Sequence, residues 1–160
     1  MDRRNTLSAI AASLLLLSIA IPTGDASAQG AKQLVGSWTA VSSNAYNPNP
    51  RGMLIFTADG HYSLTLAKAS LPKFASNSRV KGSAEENQAV VGGSITHFGK
   101  YTVNDKDKTI TFHIESSTYP NWDGTTQTRP YSVSGDQMKY TVAVTSSGAK
   151  QGEVVWKRRK

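Results

Sequence analysis

The chain has 160 residues and no cysteine, and Lys and Arg outnumber Asp and Glu by 18 to 11, for a formal net charge of +7. The length suits one domain rather than two, and the missing cysteine excludes a disulfide framework, a thiolate metal site and a lipid-modified cysteine. The charge is concentrated in the last four residues, Lys157-Arg158-Arg159-Lys160, which read as a solvated basic end. Without them the body carries only about +3,. Nucleic-acid recognition would call for aromatics interleaved with a basic face, and no such face is present.

Residues 1–28 read as a leader. Asp2, Arg3 and Arg4 precede an apolar stretch from Leu7 to Ile21, Pro22 and Gly24 break it, and Ala26-Ser27-Ala28 supplies small residues at signal-peptidase spacing,. About 15 apolar residues fall short of the roughly 20 that span a bilayer. The expectation is a signal peptide over 1–28, one domain over 29–160, and a periplasmic or secreted protein without stable membrane insertion.

Leu34 to Ser43 reads as the first strand, with Trp38 and Ala40 on one face. The prolines and asparagines of Asn44 to Pro50 then form a long connector that cannot continue a ladder,. Met53–Thr57 and His61–Lys68 form a hairpin through Ala58-Asp59-Gly60. Residues 69–82 are irregular and basic. Ser83 and Glu86 form a capping box opening one short helix, Ala84 to Val91, which Gly92-Gly93 would close in a left-handed cap. Ser94–Val103 turns through residues 104–108 into Thr109–Ser116, and Thr125–Ser134 turns at Gly135-Asp136 into Gln137–Val144. Gly152 releases a last strand, Glu153 to Lys157. Eight strands alternating apolar and polar, with little helix to cover an apolar face, protect their edges by closing. The predicted fold is all-β: an eight-stranded up-and-down antiparallel barrel with room for one small ligand.

Gly36-Ser37-Trp38 resembles the Gly-x-Trp signature of the lipocalins. That resemblance implies a Trp closing one barrel end with a basic residue packed on it, Arg158 or else Lys157. His97-Phe98-Gly99-Lys100-Tyr101, His113, Tyr119-Pro120-Asn121-Trp122-Asp123-Gly124, Arg129 and Ser134-Gly135-Asp136, together with Gly52 to Gly60, resemble the bacterial and fungal lipocalin-like domain family. The resemblance implies a lipocalin-like barrel and leaves the activity open.

Alternation places His97 with Ile95, Tyr101 and Val103 on the inner face, and Arg129 with Tyr131 and Val133. A buried Arg needs an acceptor. A structural carboxylate, Glu115 or Asp123, is the first expectation, and an anionic group on a ligand the second. His113 falls on the polar face. His61, His97 and His113 lack metal-ligand spacing, and neither a metal nor another cofactor is expected. Nucleophile motifs are absent, which leaves His97 and His113 as the candidate acid/base residues. The leading reading is a binder of a small, largely apolar organic ligand, with Trp38, Tyr62, Leu64, Ile110, Phe112, Met138 and Tyr140 lining the pocket. His97, Tyr101 and Arg129 would set polar specificity, and Trp122 would either pack over the barrel end as core or stack on the ligand at the mouth, with Tyr46 facing it. The alternatives are a cofactor-free isomerase, cyclase or hydrolase, and a periplasmic interaction or inhibitor protein using the Asn44–Pro50 and Lys68–Lys81 loops.

Overall fold

The computed structural model describes residues 25–160. Helix α1 (Asp25–Leu34) leads into β1 (Gly36–Ser43), β2 (Arg51–Phe56) and β3 (His61–Ala67). Helix α2 (Ala84–Gly92) precedes β4 (Ser94–Asn104), β5 (Thr109–Ser117), β6 (Thr126–Ser134), β7 (Gln137–Val144) and β8 (Lys150–Arg158), with a single 3₁₀ turn at Pro120–Trp122. Each strand pairs antiparallel with its sequence neighbours, and β8 returns to β1, so the sheet is a closed barrel. Closure satisfies both edges at once. The alternation that predicted it is the one observed: β4 buries Ile95, His97, Tyr101 and Val103 and exposes Phe98, Lys100 and Thr102.

Up-and-down order fixes depth as well as face. Odd strands run from the closed end to the open end and even strands run back. Trp38, Phe56, Tyr101, Ile110, Met138 and Trp156 therefore gather at the closed end, all buried. At the open end lie the long connections after β1, β3, β5 and β7.

The closed end is sealed by α1, a helix absent from the expected elements, whose first four residues, Asp25–Ala28, fall in the expected leader. Residues 1–24 of that leader lie outside the described residues. Leu34 belongs to α1 rather than to the first strand and is fully buried. Trp38 Nε1 donates to Leu34 O at 2.8 Å. The Arg158 guanidinium stacks 4.1 Å from the Trp38 ring centroid and donates to Val35 O at 2.9 Å and Gln33 O at 2.5 Å. One planar cation thus satisfies carbonyls at the C-terminus of α1, where the helix dipole favours positive charge. On the far side, Asp105 accepts from Gly30 N–H at 2.7 Å and Tyr131 Oη–H at 3.2 Å. Burial, then the Asp105 charge, push the Tyr131 hydroxyl up to about 12.

Two expectations are corrected and one is refined. Lys157, Arg159 and Lys160 of the basic end are solvent-exposed as expected, but its backbone is tied to the barrel and Arg158 is drawn into the plug: Arg158 N–H donates to Asp136 O, Arg159 N–H to Ser37 O, and Lys160 Nζ lies 3.0 Å from Asp136. The capping box of α2 is present, with Glu86 N–H donating to Ser83 Oγ and Ser83 N–H to Glu86 Oε2. Its far end, however, closes without a left-handed glycine, since Gly93 has φ −104° and bonds back to Val90 O. Gly152 does not precede the last strand but sits inside β8, opposite Val142.

One seam in the wall is incomplete. β6 pairs with β7 only from Tyr131↔Tyr140 to Ser134↔Gln137, next to their hairpin. Tyr131 N–H points to β5, donating to Lys108 O. The backbone of the residue before it therefore faces β7, and that residue is Pro130, which has no N–H to donate. The ladder stops there, and Thr126–Pro130 and Thr141–Val144 diverge.

Replacing Arg158 with Ala should lower stability by about 2–3 kcal/mol, because two carbonyls lose a charged donor and Trp38 loses its stacked cation. Lys at this position should recover less than half of the loss, lacking the fork. Urea unfolding monitored by Trp fluorescence measures both.

Candidate functional site

The barrel is filled from the closed end to mid-height by edge-to-face aromatics. Tyr62 and Phe112 are 4.7 Å apart between centroids, Phe56 and Tyr101 also 4.7 Å, and Phe112 and Tyr140 5.9 Å. Such pairs lock a core in one arrangement. Above them, toward the open end, a cavity of about 40 Å³ remains, lined by Tyr46, Leu64, Leu66, Ile95, His97, Trp122, Arg129, Tyr140, Val142 and Val154, with polar edges from Ser43 and Ser146. At roughly 10–15 Å³ per water it has room for about three waters. A second space, about 310 Å³, occupies the seam where β6 and β7 diverge, lined by Trp122, Gln127, Thr128, Arg129, Val142, Ala143 and Val144. Trp122, Arg129 and Val142 border both.

Two buried polar side chains define the chemistry. His97 is 2% exposed. Its Nδ1 and Tyr62 Oη share a hydrogen bond of 2.8 Å, and its ring packs edge-on to Trp122 at 5.7 Å. Burial, reinforced by the Arg129 charge, pushes His97 down to about 3, so the imidazole is neutral at every physiological pH. The same burial raises the Tyr62 hydroxyl well above its ordinary value. A base this weak takes little proton at neutral pH, which leaves His97 a neutral hydrogen-bonding group.

Arg129, also 2% exposed, is rooted opposite Ile110, and its guanidinium lies among three rings: 4.6 Å from the Phe112 centroid, 5.0 Å from Tyr140 and 6.0 Å from Trp122. One terminal nitrogen donates to Gln127 Oε1 at 2.8 Å. Its Nε has no partner, and neither does Trp156 Nε1 beneath. The expected carboxylates do not meet it. Glu115 projects outward, exposed, where a bulge interrupts the β4–β5 register, and Asp123 accepts from Ser117 N–H at 2.6 Å. Among the described residues no carboxylate pairs with Arg129.

The residues singled out in the sequence separate by depth. Leu64, His97, Trp122, Arg129 and Tyr140 line the open-end cavity. Tyr62 and Phe112 lie one layer below, Tyr62 bonded to His97 and Phe112 beneath Arg129. Trp38, Ile110 and Met138 are fully buried at the closed end, and the Tyr101 hydroxyl donates to Thr57 O in the β2–β3 turn. His113 is on the outer surface beside Thr126 and His61 beside Asp59, so the three histidines do not converge. Among the described residues no cluster of His, Asp and Glu could hold a metal ion. Leu66, Ile95, Val142, Val154, Ser43 and Gln127 complete the surroundings and were not anticipated as site residues. They are the inward residues at the C-terminal ends of odd strands and the N-terminal ends of even ones.

A closed eight-stranded up-and-down barrel, sealed at one end by a Trp–Arg stack and open at the other, defines a lipocalin-type protein. A family model described as a lipocalin-like domain matches residues 35–159, and the chain belongs to that family. No curated protein and no solved structure matches it.

The neutral His97 sets a pH dependence. The unfolded chain takes up this proton below about 6.5 while the folded one does not until about 3. Stability attributable to His97 is therefore complete above 6.5 and falls as pH drops toward 3, by at most about 1.4 kcal/mol per pH unit. Carboxylates held low, such as Asp59 and Asp136, act only below about 4. In urea titrations between pH 6.5 and 4.5 the wild type should lose stability steeply. His97→Asn, which keeps an acceptor for Tyr62, should lose distinctly less.

Proposed function

We propose that this protein is exported and binds one small, largely apolar organic molecule at the open end of its barrel. The observation that carries the reading is a largely apolar cavity placed where the strands open, with a few polar groups and the buried Arg129 guanidinium converging on it and Glu153, paired with Lys139, at its edge, the usual make-up of a small-molecule site. The family's barrel is itself suited to holding a small ligand. Export is supported by the leader-like sequence of residues 1–28,, and N-terminal sequencing of the protein from its host tests it, with Gln29 the expected first residue.

Tyr46 is the lid of this arrangement. It is buried, and it walls both the 40 Å³ cavity and a neighbouring depression of about 190 Å³ beside Val91 and Gly92. Binding is tested by native mass spectrometry of the mature protein from its own host, followed by denaturation and extraction. A stoichiometric small molecule is expected, and a clean protein mass that persists after incubation with a metabolite extract would contradict the reading. Tyr46→Ala should join the two spaces and raise the uptake of the neutral fluorophore N-phenyl-1-naphthylamine severalfold.

A further inference from the structure

We propose that Arg129 anchors the carboxylate of a monoanionic organic ligand whose apolar body lies in the seam between β6 and β7. The proposal rests on the ligand-binding reading above and names the ligand's chemistry and its place.

The guanidinium carries five N–H donors. Of these, one terminal group is engaged by Gln127 Oε1, and Nε–H is buried without an acceptor. The three surrounding rings attract the positive charge through their faces, and the Tyr140 hydroxyl is a neutral acceptor beside it, but none supplies a counter-charge or fills Nε–H. A buried cation with no counter-ion and with its Nε–H unpartnered is costly to keep,. An incoming carboxylate supplies both, in the bidentate geometry the planar fork favours. The charge count selects a monoanion. Of the other polar groups around the cavity, His97, Tyr62, Tyr140, Gln127 and Ser43 are neutral, and the Glu153 carboxylate at its edge is paired with Lys139 at 3.2 Å, so a single negative charge balances Arg129 and a dianion would leave one charge buried and unpaired.

Volume decides where the rest of the ligand goes. The open-end cavity, about 40 Å³, accommodates a carboxylate group and little more,. The seam, about 310 Å³, reaches the lower bound of roughly 300 Å³ for small-molecule pockets,. Its walls are Trp122, Val142, Ala143 and Val144, and Val144 is a large apolar side chain left 60% exposed. Pro130 is what keeps the seam open, because its backbone faces β7 with no N–H to extend the ladder,.

Isothermal titration of the full chain with two matched pairs, 3-phenylpropionate against 3-phenylpropanol and octanoate against 1-octanol, tests the proposal. The wild type should bind each acid at least about tenfold more tightly than its alcohol. Arg129→Met should erase that preference while melting no lower than the wild type, since an apolar chain replaces an unpaired buried charge. Arg129→Lys should keep part of the preference. Pro130→Val, which restores the donor, should raise the melting temperature and weaken acid binding severalfold. Equal affinity for acids and alcohols would overturn the anchor while leaving the ligand-binding reading intact. A melting temperature of Arg129→Met far below the wild type would make Arg129 a structural residue and overturn the anchor too. Unchanged acid binding in Pro130→Val would overturn the seam as the ligand's place. Failure of every acid and alcohol to bind would overturn the proposal, and an empty native extract alongside it would remove the binding reading as well.

Discussion

An antiparallel sheet with one apolar face has two edges and one surface that must leave water, and closing β8 onto β1 answers both demands at once,. Nearly everything else in the molecule follows from that closure. It sends every second side chain inward, and it sorts the inward residues by height, because alternate strands run in opposite directions. It also leaves two ends to be dealt with differently. At one, α1, Trp38 and Arg158 form a plug in which a single guanidinium both stacks and caps. At the other, the long connections leave an opening. With no cysteine in the sequence, the barrel has no cross-links, and its closed end is held by the plug and the aromatic packing above it.

Against that background Arg129 is an exception. A filled, well-paired barrel core has no use for a guanidinium with a free Nε, and an apolar residue of similar volume would cost less. Pro130 is a second exception one residue away, since it forfeits a ladder donor in the wall of the same barrel. Two adjacent residues that each give up stability, one by burying charge and one by opening a seam, converge on one space. Departures of this kind from local consistency are where functional sites are expected. The neutral His97–Tyr62 pair beside them contributes polarity without charge, so the guanidinium is the charged group that dominates the field in the cavity.

The fold was legible in the sequence because period-two alternation and hairpin turns are local signals. The strand starting at His61, the turn at Ala58-Asp59-Gly60 and the Ser83–Glu86 capping box all lie where the residues say. The pocket was legible in direction but not in depth. Trp38, Ile110 and Met138 point inward as alternation requires, yet they occupy the closed end. Inward facing sets only the angle about the barrel axis, whereas height depends on strand direction. Counting direction along the up-and-down order would have moved the site toward Leu66, Ile95, Val142 and Val154. The expected Arg129–Glu115 pair fails on the alternation itself, because Glu115 shares the outward face of β5 with His113 while Ile110, Phe112 and Ile114 point inward; the bulge between Phe98 and Gly99 then shifts the β4–β5 register beyond Ile114. Alanine at residue 99 would drive its Cβ into the His113 carbonyl, so the irregularity needs glycine there. The helix α1 was hidden by the leader reading. Pro130 lies inside the stretch expected as an unbroken strand, Thr125–Ser134, and that expectation passed over the ladder donor the proline lacks.

The account turns on what completes the buried guanidinium. Its most direct test is to follow the Arg129 Nε–Hε resonance by ¹H–¹⁵N NMR, assigned by comparison with Arg129→Met, while 3-phenylpropionate is titrated into the protein. A downfield shift that saturates with the acid and is absent with 3-phenylpropanol is the result predicted for an unpartnered donor acquiring a carboxylate. A resonance that stays in place while either compound binds would contradict the account.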